Sequence, residues 1–177
     1  MTKSLSGYRV LVTGGGSGIG EGCAEMLSQD GATVTICGRT PERLADAAQR
    51  IKKSTGTAPL ICVADITNEE QITQAATMAA GDSGLLHGVV ASAGGSLHMG
   101  PLHLADTEAL RATLDLNVVG TFLTLKATVP LLRAAQGSFV GVSSHAGLDS
   151  FRFLGAYGAA KAGLDHMLRV SADELGP

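Results

Sequence analysis

The sequence predicts an α/β domain built on a doubly wound parallel sheet with the strand order 3-2-1-4-5. Strand-like and helix-like segments alternate along the chain, as they do in parallel sheets covered by helices on both faces. The first strand leads into a glycine-rich turn and then into a helical pattern. The length of 177 residues favours a single domain. Right-handed crossovers then give the strand order and place a ligand at the carboxyl ends of the strands.

The predicted strands are short apolar runs bounded by glycine, proline or polar turn residues. They span residues 10–13, 32–37, 59–64, 86–91 and 138–142. The predicted helices span about 19–29, 40–53, 67–80, 107–132 and 155–175. Thr40 caps the second helix, with Pro41 in its first turn, and Thr67 and Glu70 form a capping box for the third. Pro130 is expected to break the fourth helix near its end.

Composition and charge exclude several classes of function. The net charge of −3 and the pI of about 5.9 leave no basic face for nucleic acid. The amino-terminal residues lack the apolar run of a leader, and the most apolar stretch, residues 114–132, is interrupted by Asp115, Asn117 and Lys126. We therefore expect a soluble, cytoplasmic protein with no nucleic-acid or membrane partner.

Neither the cysteines nor the histidines predict a metal site. The cysteines lie far apart in apolar patterns without a CxxC motif, so we expect reduced core residues. They are Cys23, Cys37 and Cys62. The histidines lack a ligand spacing such as HxxxH and are expected in loops or at the surface. They are His87, His98, His103, His145 and His166.

The glycine-rich turn is the first candidate binding site. Glycine lets a bulky anion approach the main chain closely, and the helix that follows points unpaired N–H groups at that anion. The spacing is Gly14-xxx-Gly18-x-Gly20; GxGxxG does not fit, and the phosphate loop fails because Glu21 stands where lysine is needed. The sequence therefore predicts a phosphate cradle, the alternative being a plain tight turn.

The end of the second strand bears on which dinucleotide binds. A free ribose 2′-OH requires a carboxylate there, whereas a 2′-phosphate requires an arginine. The strand runs into Gly38 and Arg39, with no acid at that point, which favours NADP(H) over NAD(H). Two alternatives remain open. Arg39 could be a solvated arginine that binds no cofactor, or the protein could prefer NAD(H). Asp65 ends the third strand. It is a candidate for binding the cofactor, and the alternative is that it only starts the turn before Thr67.

The candidate chemistry lies in the last third of the chain. Tyr157 and Lys161 are four residues apart, so a helix brings both onto one face. A free phenol has a pKa of about 10, and a nearby cation favours its phenolate, which lets it exchange a proton with a substrate oxygen. Ser143 and Ser144 lie at the end of the fifth strand, where a hydroxyl could hold that oxygen. By itself this spacing is common, and a plain surface pair would be the better interpretation.

Together these motifs resemble the short-chain dehydrogenases/reductases of the classical type, over essentially the whole chain. The resemblance is carried by residues 13–20, Asp65, Ala93, Gly94, Asn117, Ser144 and residues 157–161. It implies a Rossmann-type NAD(P)-binding domain in which Gly14, Gly18 and Gly20 shape the cofactor turn and Asp65 contacts the adenine. The other cofactor-binding residues of this interpretation are Gly16, Ser17, Ile19, Arg39, Ile66, Ala93, Gly94, Tyr157 and Lys161.

The resemblance also implies the catalytic roles. Tyr157 would be the general acid/base, and Lys161 would hold the nicotinamide ribose and lower the pKa of the tyrosine. Ser144, thirteen residues before Tyr157, would orient the substrate oxygen. Asn117 would hold a water that links the lysine to solvent. His145, beside Ser144, is a candidate for lining the substrate pocket.

The chain departs from the family in two places. Ala91 and Ser92 stand where the family has the first two residues of Asn-Asn-Ala-Gly, which affects local stability more than chemistry. The chain also ends at Pro177, where family members continue into two more strands and a substrate-binding loop. The single domain at residues 1–177 is therefore expected to be C-terminally incomplete, as part of a longer gene product.

The predicted function is an oxidoreductase that interconverts a small alcohol and a carbonyl with NADP(H). The alternative is a catalytically silent dinucleotide-binding sensor or scaffold. The resemblance and two apolar helices also predict a homo-oligomer, a tetramer or a dimer. The residues of those helices are Leu114, Val118, Phe122, Leu125, Leu164, Met167, Leu168 and Val170.

Overall fold

One parallel sheet forms the centre of the computed structural model, which describes residues 4–176. The strands are β1 (Arg9–Thr13), β2 (Thr33–Gly38), β3 (Leu60–Val63), β4 (Gly88–Ala91) and β5 (Ser138–Gly141). They lie in the order β3-β2-β1-β4-β5, and every neighbouring pair is parallel. The predicted fold class and strand order are confirmed. Pro177 and the first three residues of the predicted domain lie outside the described residues.

Helices follow the strands on both faces of the sheet. They are α1 (Gly18–Gln29), α2 (Pro41–Thr55), α3 (Glu69–Ala80), α4 (Thr107–Leu114), α5 (Gly120–Ala135) and α6 (Gly155–Leu175). Short 3-10 turns lie at Gly81–Ser83, Leu102–Leu104 and His145–Gly147.

Successive side chains of β1 enter two separate cores, because they point to opposite faces of the sheet. Val10 and Val12 pack with Leu44 and other residues of α1 and α2, whereas Leu11 packs with Ile72 and other residues of α3 and α5. Strands buried on both faces need continuous apolar residues, which is why β1 and β2 are recognisable in the sequence.

The capping box predicted for α3 is wrong. Asn68 is the N-cap, and its Oδ1 accepts a hydrogen bond from the Gln71 N–H at 3.1 Å. The Thr67 hydroxyl is already committed, because it donates to Asp65 Oδ1 at 2.8 Å. Thr40 does occupy the N-cap position of α2, but its side chain makes no capping hydrogen bond within residues 4–176.

The predicted break at Pro130 is also wrong, since α5 continues through it to Ala135. Pro130 is exposed, so water can hydrate the carbonyl that it leaves unpaired. The irregularity lies earlier, where Asp115–Val119 forms a π-helical turn between α4 and α5. Such turns are frequent at functional sites, and this one contains Asn117.

The helical region Thr107–Ala135 is long and apolar enough to cross a membrane by length and composition alone, since an 18-residue window in it has a mean hydropathy of 1.3. A core helix of a soluble protein passes the same test. Here Leu116, Leu123 and Leu132 belong to the core that α3 shares. Packing inside the domain therefore accounts for much of this apolar surface.

The expectation of three core cysteines is confirmed only for Cys37. Burial raises the pKa of the Cys37 thiol to about 12, and Cys62 lies opposite it in the register of β2 and β3. Cys23 and Cys62 are half-buried, and all three thiols are free.

The surface offered for oligomer formation is smaller than expected. Leu125 and Leu164 are buried within the chain, whereas Phe122 and Val170 are exposed. The other four residues of the predicted interface are half-buried. The homo-oligomer stays a prediction.

Candidate active site

A cleft of about 410 Å³ opens at the carboxyl ends of the strands, where the doubly wound sheet predicts a ligand. Twelve residues predicted from the sequence line it: Gly14, Gly16, Ser17, Gly18, Ile19, Arg39, Asp65, Ile66, Ala93, Gly94, Tyr157 and Lys161. Gly20, Asn117 and Ser144 are not among the lining residues. The structure thus brings the glycine turn and the tyrosine–lysine pair into one site.

The turn between β1 and α1 requires glycine at two positions. Gly14 has a φ of +69°, and a Cβ there would lie 2.9 Å from the backbone N and Cα of Ala93. A Cβ at Gly20 would overlap the carbonyl of Gly14, so Gly20 supports the turn from behind. Ser17 is the N-cap of α1, and among the described residues its side chain makes no capping bond, which leaves the N–H groups of the first turn open to the cleft.

Two arginines face the cleft beside this turn. Arg39 follows β2, and Arg43 lies one helical turn further on, in α2. Arg43 runs close to the glycine turn, since a Cβ at Gly16 would lie 3.3 Å from its Cβ. Within residues 4–176 neither guanidinium takes part in an ion pair. Two free cations therefore lie at the end of the second strand, where the sequence predicted one.

Asp65 lines the cleft, but its carboxylate is committed to the backbone turn. Asp65 Oδ1 accepts hydrogen bonds from the Thr67 N–H at 2.9 Å and from the Thr67 hydroxyl at 2.8 Å. The Asp65 N–H donates to Gln71 Oε1 at 2.8 Å. The local role that the sequence left open for Asp65 is therefore present in the structure.

Asn117 holds together the main chain beneath the cleft. Its side chain is buried; Nδ2 donates to the carbonyls of Gly95 at 2.7 Å and Thr113 at 2.8 Å, and Oδ1 accepts from the Gly95 N–H at 3.1 Å. A Cβ at Gly94 would lie 2.6 Å from Asn117 Oδ1 and 3.3 Å from Lys161 Nζ. Gly94 thus lets Asn117 and Lys161 lie next to each other.

Tyr157 and Lys161 lie on the cleft side of α6. Lys161 Nζ donates a hydrogen bond to the Val142 carbonyl at 2.8 Å and lies 5.7 Å from the centre of the Tyr157 ring. Burial lowers the pKa of Lys161, and the Asp165 carboxylate acts in the opposite direction. A desolvated ammonium beside a phenol is the arrangement that the four-residue spacing predicts.

The two serines after β5 have different surroundings. Ser143 lines the cleft, and its Oγ is buried without a hydrogen-bond partner among the described residues. Ser144 is the N-cap of the turn at His145–Gly147, and its Oγ accepts a hydrogen bond from the Ala146 N–H at 3.2 Å. The resemblance selects Ser144, so its catalytic role stays a prediction.

Comparison with known families agrees with this geometry. Residues 8–177 match the family model described as short chain dehydrogenase. This chain belongs to the short-chain dehydrogenase family. The resemblance inferred from the glycine turn and the tyrosine–lysine motif is therefore confirmed.

Individual short-chain dehydrogenases are similar over nearly the whole chain. A trans-4-hydroxycyclohexanecarboxylate dehydrogenase from Sinomonas cyclohexanicum is 34% identical over 172 residues, which cover 94% of this chain and 66% of the relative. A short-chain type dehydrogenase/reductase from Mycobacterium ulcerans superposes with a TM-score of 0.93 at 45% identity, over 98% of this chain and 64% of that one. The chain thus spans about two thirds of the length of these relatives.

A further short-chain dehydrogenase structure, from Escherichia coli CFT073, was solved in complex with NADPH. It superposes with a TM-score of 0.91 at 32% identity and covers 99% of this chain and 75% of that one.

Ser143, one of the two serines predicted beside the substrate oxygen, lines this short-chain dehydrogenase cleft as well. Eight further lining residues were not predicted as site residues: Gly38, Thr40, Arg43, Leu44, Ala64, Ser92, Leu116 and Val142. Arg43 carried a usable signal, since it stands four residues after Arg39 on a predicted helix. The apolar residues carried none, because their apolar character is equally that of the core.

Two histidines, His145 and His87, make side-chain contacts that the sequence did not indicate. His145 does not line the cleft; it is exposed and pairs with Asp149 at 2.8 Å. His87 lies in the loop directly before β4, as expected, and is half-buried there. Its ring stacks on Tyr8 with 4.7 Å between centroids, and its Nδ1 accepts a hydrogen bond from the Arg9 N–H at 3.1 Å.

Proposed function

We propose that this protein is an NADP(H)-dependent oxidoreductase that interconverts an alcohol and a carbonyl. The observation that carries the proposal is that one cleft joins the glycine turn, the arginines Arg39 and Arg43, and the pair Tyr157 and Lys161. The names of the relatives support it, since one is a dehydrogenase of a hydroxycyclohexanecarboxylate and another was solved with NADPH.

The residues of the cleft suit a dinucleotide. Gly14 and Gly16 bring the main chain close to the amino end of α1, where N–H groups bind phosphate. A bound nicotinamide dinucleotide supplies the hydride chemistry. Arg39 and Arg43 present planar, permanently charged groups suited to a 2′-phosphate.

The proton step belongs to Tyr157. In the reducing direction its hydroxyl donates a proton to the carbonyl oxygen of the substrate, and in the oxidising direction it takes that proton back. Lys161 places a buried positive charge beside the phenol, where negative charge develops as the proton leaves. Ser144 orients the substrate oxygen, and Asn117 holds the main chain at Gly95, next to Gly94 and Lys161.

NADPH is expected to bind more tightly than NADH. Charge-assisted hydrogen bonds contribute roughly 1.5–3 kcal/mol, so Arg39→Ala and Arg43→Ala should each weaken NADPH binding by about tenfold or more. NADH binding should change little, because NADH has no 2′-phosphate. Fluorescence titration of both cofactors at one salt concentration measures this.

Arg111→Ala is the matched control, because Arg111 is an exposed arginine of α4 that pairs with Glu108 outside the cleft. If the unmodified protein binds NADH more tightly than NADPH, the preference for NADPH is refuted. It is also refuted if the arginine variants weaken the binding of both cofactors equally. Spectrophotometric assays with panels of carbonyls and alcohols, run with both cofactors, test the activity on the same samples.

A further inference from the structure

Two cysteines lie side by side where β2 and β3 approach the cleft. Cys37 and Cys62 are direct partners in the parallel register of these strands, so their side chains leave the same face of the sheet. Both pack in the core that α3 covers, and both thiols are free. The strands thus hold two thiols next to each other, one strand spacing apart.

The spacing of the two cysteines suits a disulfide. Neighbouring strands lie about 4.8 Å apart, and the Cα atoms of a disulfide are usually about 4.4–6.8 Å apart. The two thiols already influence each other, because repulsion from Cys62 adds to burial in raising the pKa of the Cys37 thiol to about 12. The Cβ atoms of a disulfide are roughly 3.5–4.5 Å apart, which is less than the strand spacing, so bond formation draws the two strands together.

The two thiols differ in their access to solvent. β3 is an edge strand, and its residues Leu60, Ile61 and Val63 are exposed. Cys62 is half-buried in this strand, whereas Cys37 is fully buried. A small oxidant can therefore reach the Cys62 sulfur, while the Cys37 sulfur is reached from its neighbour. This asymmetry suits an attacking and a resolving cysteine.

The main chain around Cys37 is part of the framework of the cleft. The Cys37 carbonyl accepts a hydrogen bond from the Gly15 N–H at 3.2 Å, which ties β2 to the glycine turn. The Gly38 carbonyl accepts one from the Ala64 N–H at 3.0 Å, which ties β2 to the end of β3. Gly38, Ala64 and Arg39 all line the cleft. A movement of the two strands therefore displaces the cation proposed to hold the 2′-phosphate.

We propose that Cys37 and Cys62 form a reversible disulfide with a hydroperoxide as oxidant, and that this modification weakens NADPH binding in the adjoining cleft. This inference rests on the proposed function and adds a means of regulation to it. Thiol reductants reverse the modification and restore NADPH binding.

Two steps balance the reaction. The Cys62 thiolate attacks one oxygen of the hydroperoxide, the O–O bond breaks, an alcohol or water leaves, and Cys62 becomes a sulfenic acid. The Cys37 sulfur then attacks the Cys62 sulfur, the S–O bond breaks, and the hydroxyl leaves as water with the proton of the Cys37 thiol. The two thiols lose two electrons and two protons, which the hydroperoxide takes up. Only thiolates attack, and burial raises the pKa of Cys62, so the pair stays reduced until the hydroperoxide is abundant.

The test treats the purified protein with tert-butyl hydroperoxide and follows thiols and NADPH binding on the same samples. The number of free thiols, measured after unfolding, should fall from three to one. Peptide mapping after cleavage at glutamate should show Cys37 joined to Cys62, because Glu25 and Glu42 separate the three cysteines. Fluorescence titration should show NADPH binding weakened by about tenfold or more, as expected when a charge-assisted hydrogen bond is broken. Dithiothreitol should restore both.

Cys62→Ser should bind NADPH equally well before and after the treatment, because it cannot form the disulfide. Cys62→Ala repeats this test without adding a hydroxyl to the strand. Cys23→Ser is the matched control, since Cys23 is another half-buried free cysteine and lies in α1. It should lose NADPH binding to the same degree as the unmodified protein.

Three free thiols after the treatment, or a disulfide that leaves NADPH binding unchanged, would overturn this inference and leave the proposed function standing. Loss of NADPH binding by Cys62→Ser to the same degree as by the unmodified protein would also overturn it, since the damage would then lie elsewhere. If the reduced protein binds no NADPH, both the proposed function and this regulation of it are wrong.

Discussion

Replacing Tyr157 with phenylalanine is expected to lower turnover by on the order of 10²–10⁴-fold while NADPH binding stays nearly unchanged. Phenylalanine keeps the aromatic ring beside Lys161 Nζ and deletes only the hydroxyl that donates the proton. Steady-state kinetics and fluorescence titration on the same sample separate the two effects. The loss should appear in kcat, because the deleted group acts on the transition state.

Tyr8→Phe is the matched control for this variant. Tyr8 is half exposed, stacks on His87 and lies outside the cleft, so losing its hydroxyl should not change turnover. Turnover by Tyr157→Phe at the unmodified rate would remove Tyr157 from the proton step. An equal loss in both tyrosine variants would point to a general effect on folding.

Replacing Gly14 with alanine is expected to abolish measurable NADPH binding and to lower the free energy of unfolding by about 1–3 kcal/mol. The new Cβ would lie 2.9 Å from the backbone of Ala93, and φ is +69°, so the turn and the end of β4 must move apart. That movement displaces both walls of the cleft. Thermal unfolding and NADPH titration measure the two losses.

Gly56→Ala is the control that separates the effect of a left-handed backbone conformation from the effect of steric overlap by the new Cβ. Gly56 has a φ of +81° at the end of α2, but no atom lies within 4 Å of the position of its Cβ. The Gly56→Ala variant should show a similar decrease in the free energy of unfolding and should still bind NADPH. Binding by Gly14→Ala as tight as by the unmodified protein would show that the turn does not need glycine at that position.

The sheet was predictable because its signal is local. The central strands β1 and β2 are buried on both faces and therefore read as short apolar runs, and the edge strands β3 and β5 are apolar enough to be recognised although they are more exposed. The crossover rule supplies the strand order. The ends of the elements were less predictable. Asn68 caps α3 in place of Thr67 because the Thr67 hydroxyl is engaged by Asp65, a contact that no pattern in the sequence reports.

The parts of the candidate site that could be predicted are those whose residues have a fixed spacing within one helix or one strand–turn–helix unit. Tyr157 and Lys161 share a helix face, and the glycine turn joins a strand to a helix, so both patterns are visible in sequence. The rest depends on contacts between distant segments. Asn117, in the π-helical turn, contacts Gly95 in a distant loop and lies near Lys161. Arg43 reaches the cleft because α2 packs beside the glycine turn.

Transfer of deuterium from NADPH to a ketone tests the central claim most directly. NADPH labelled at the transferable position of the nicotinamide is incubated with cyclohexanone and the protein, and the product is analysed by mass spectrometry. The account predicts deuterium on the carbinol carbon with the unmodified protein and far less with Tyr157→Phe at the same concentration. NADPH that binds in the cleft but passes no deuterium to any ketone of a broad panel would contradict the account and leave a dinucleotide-binding sensor or scaffold.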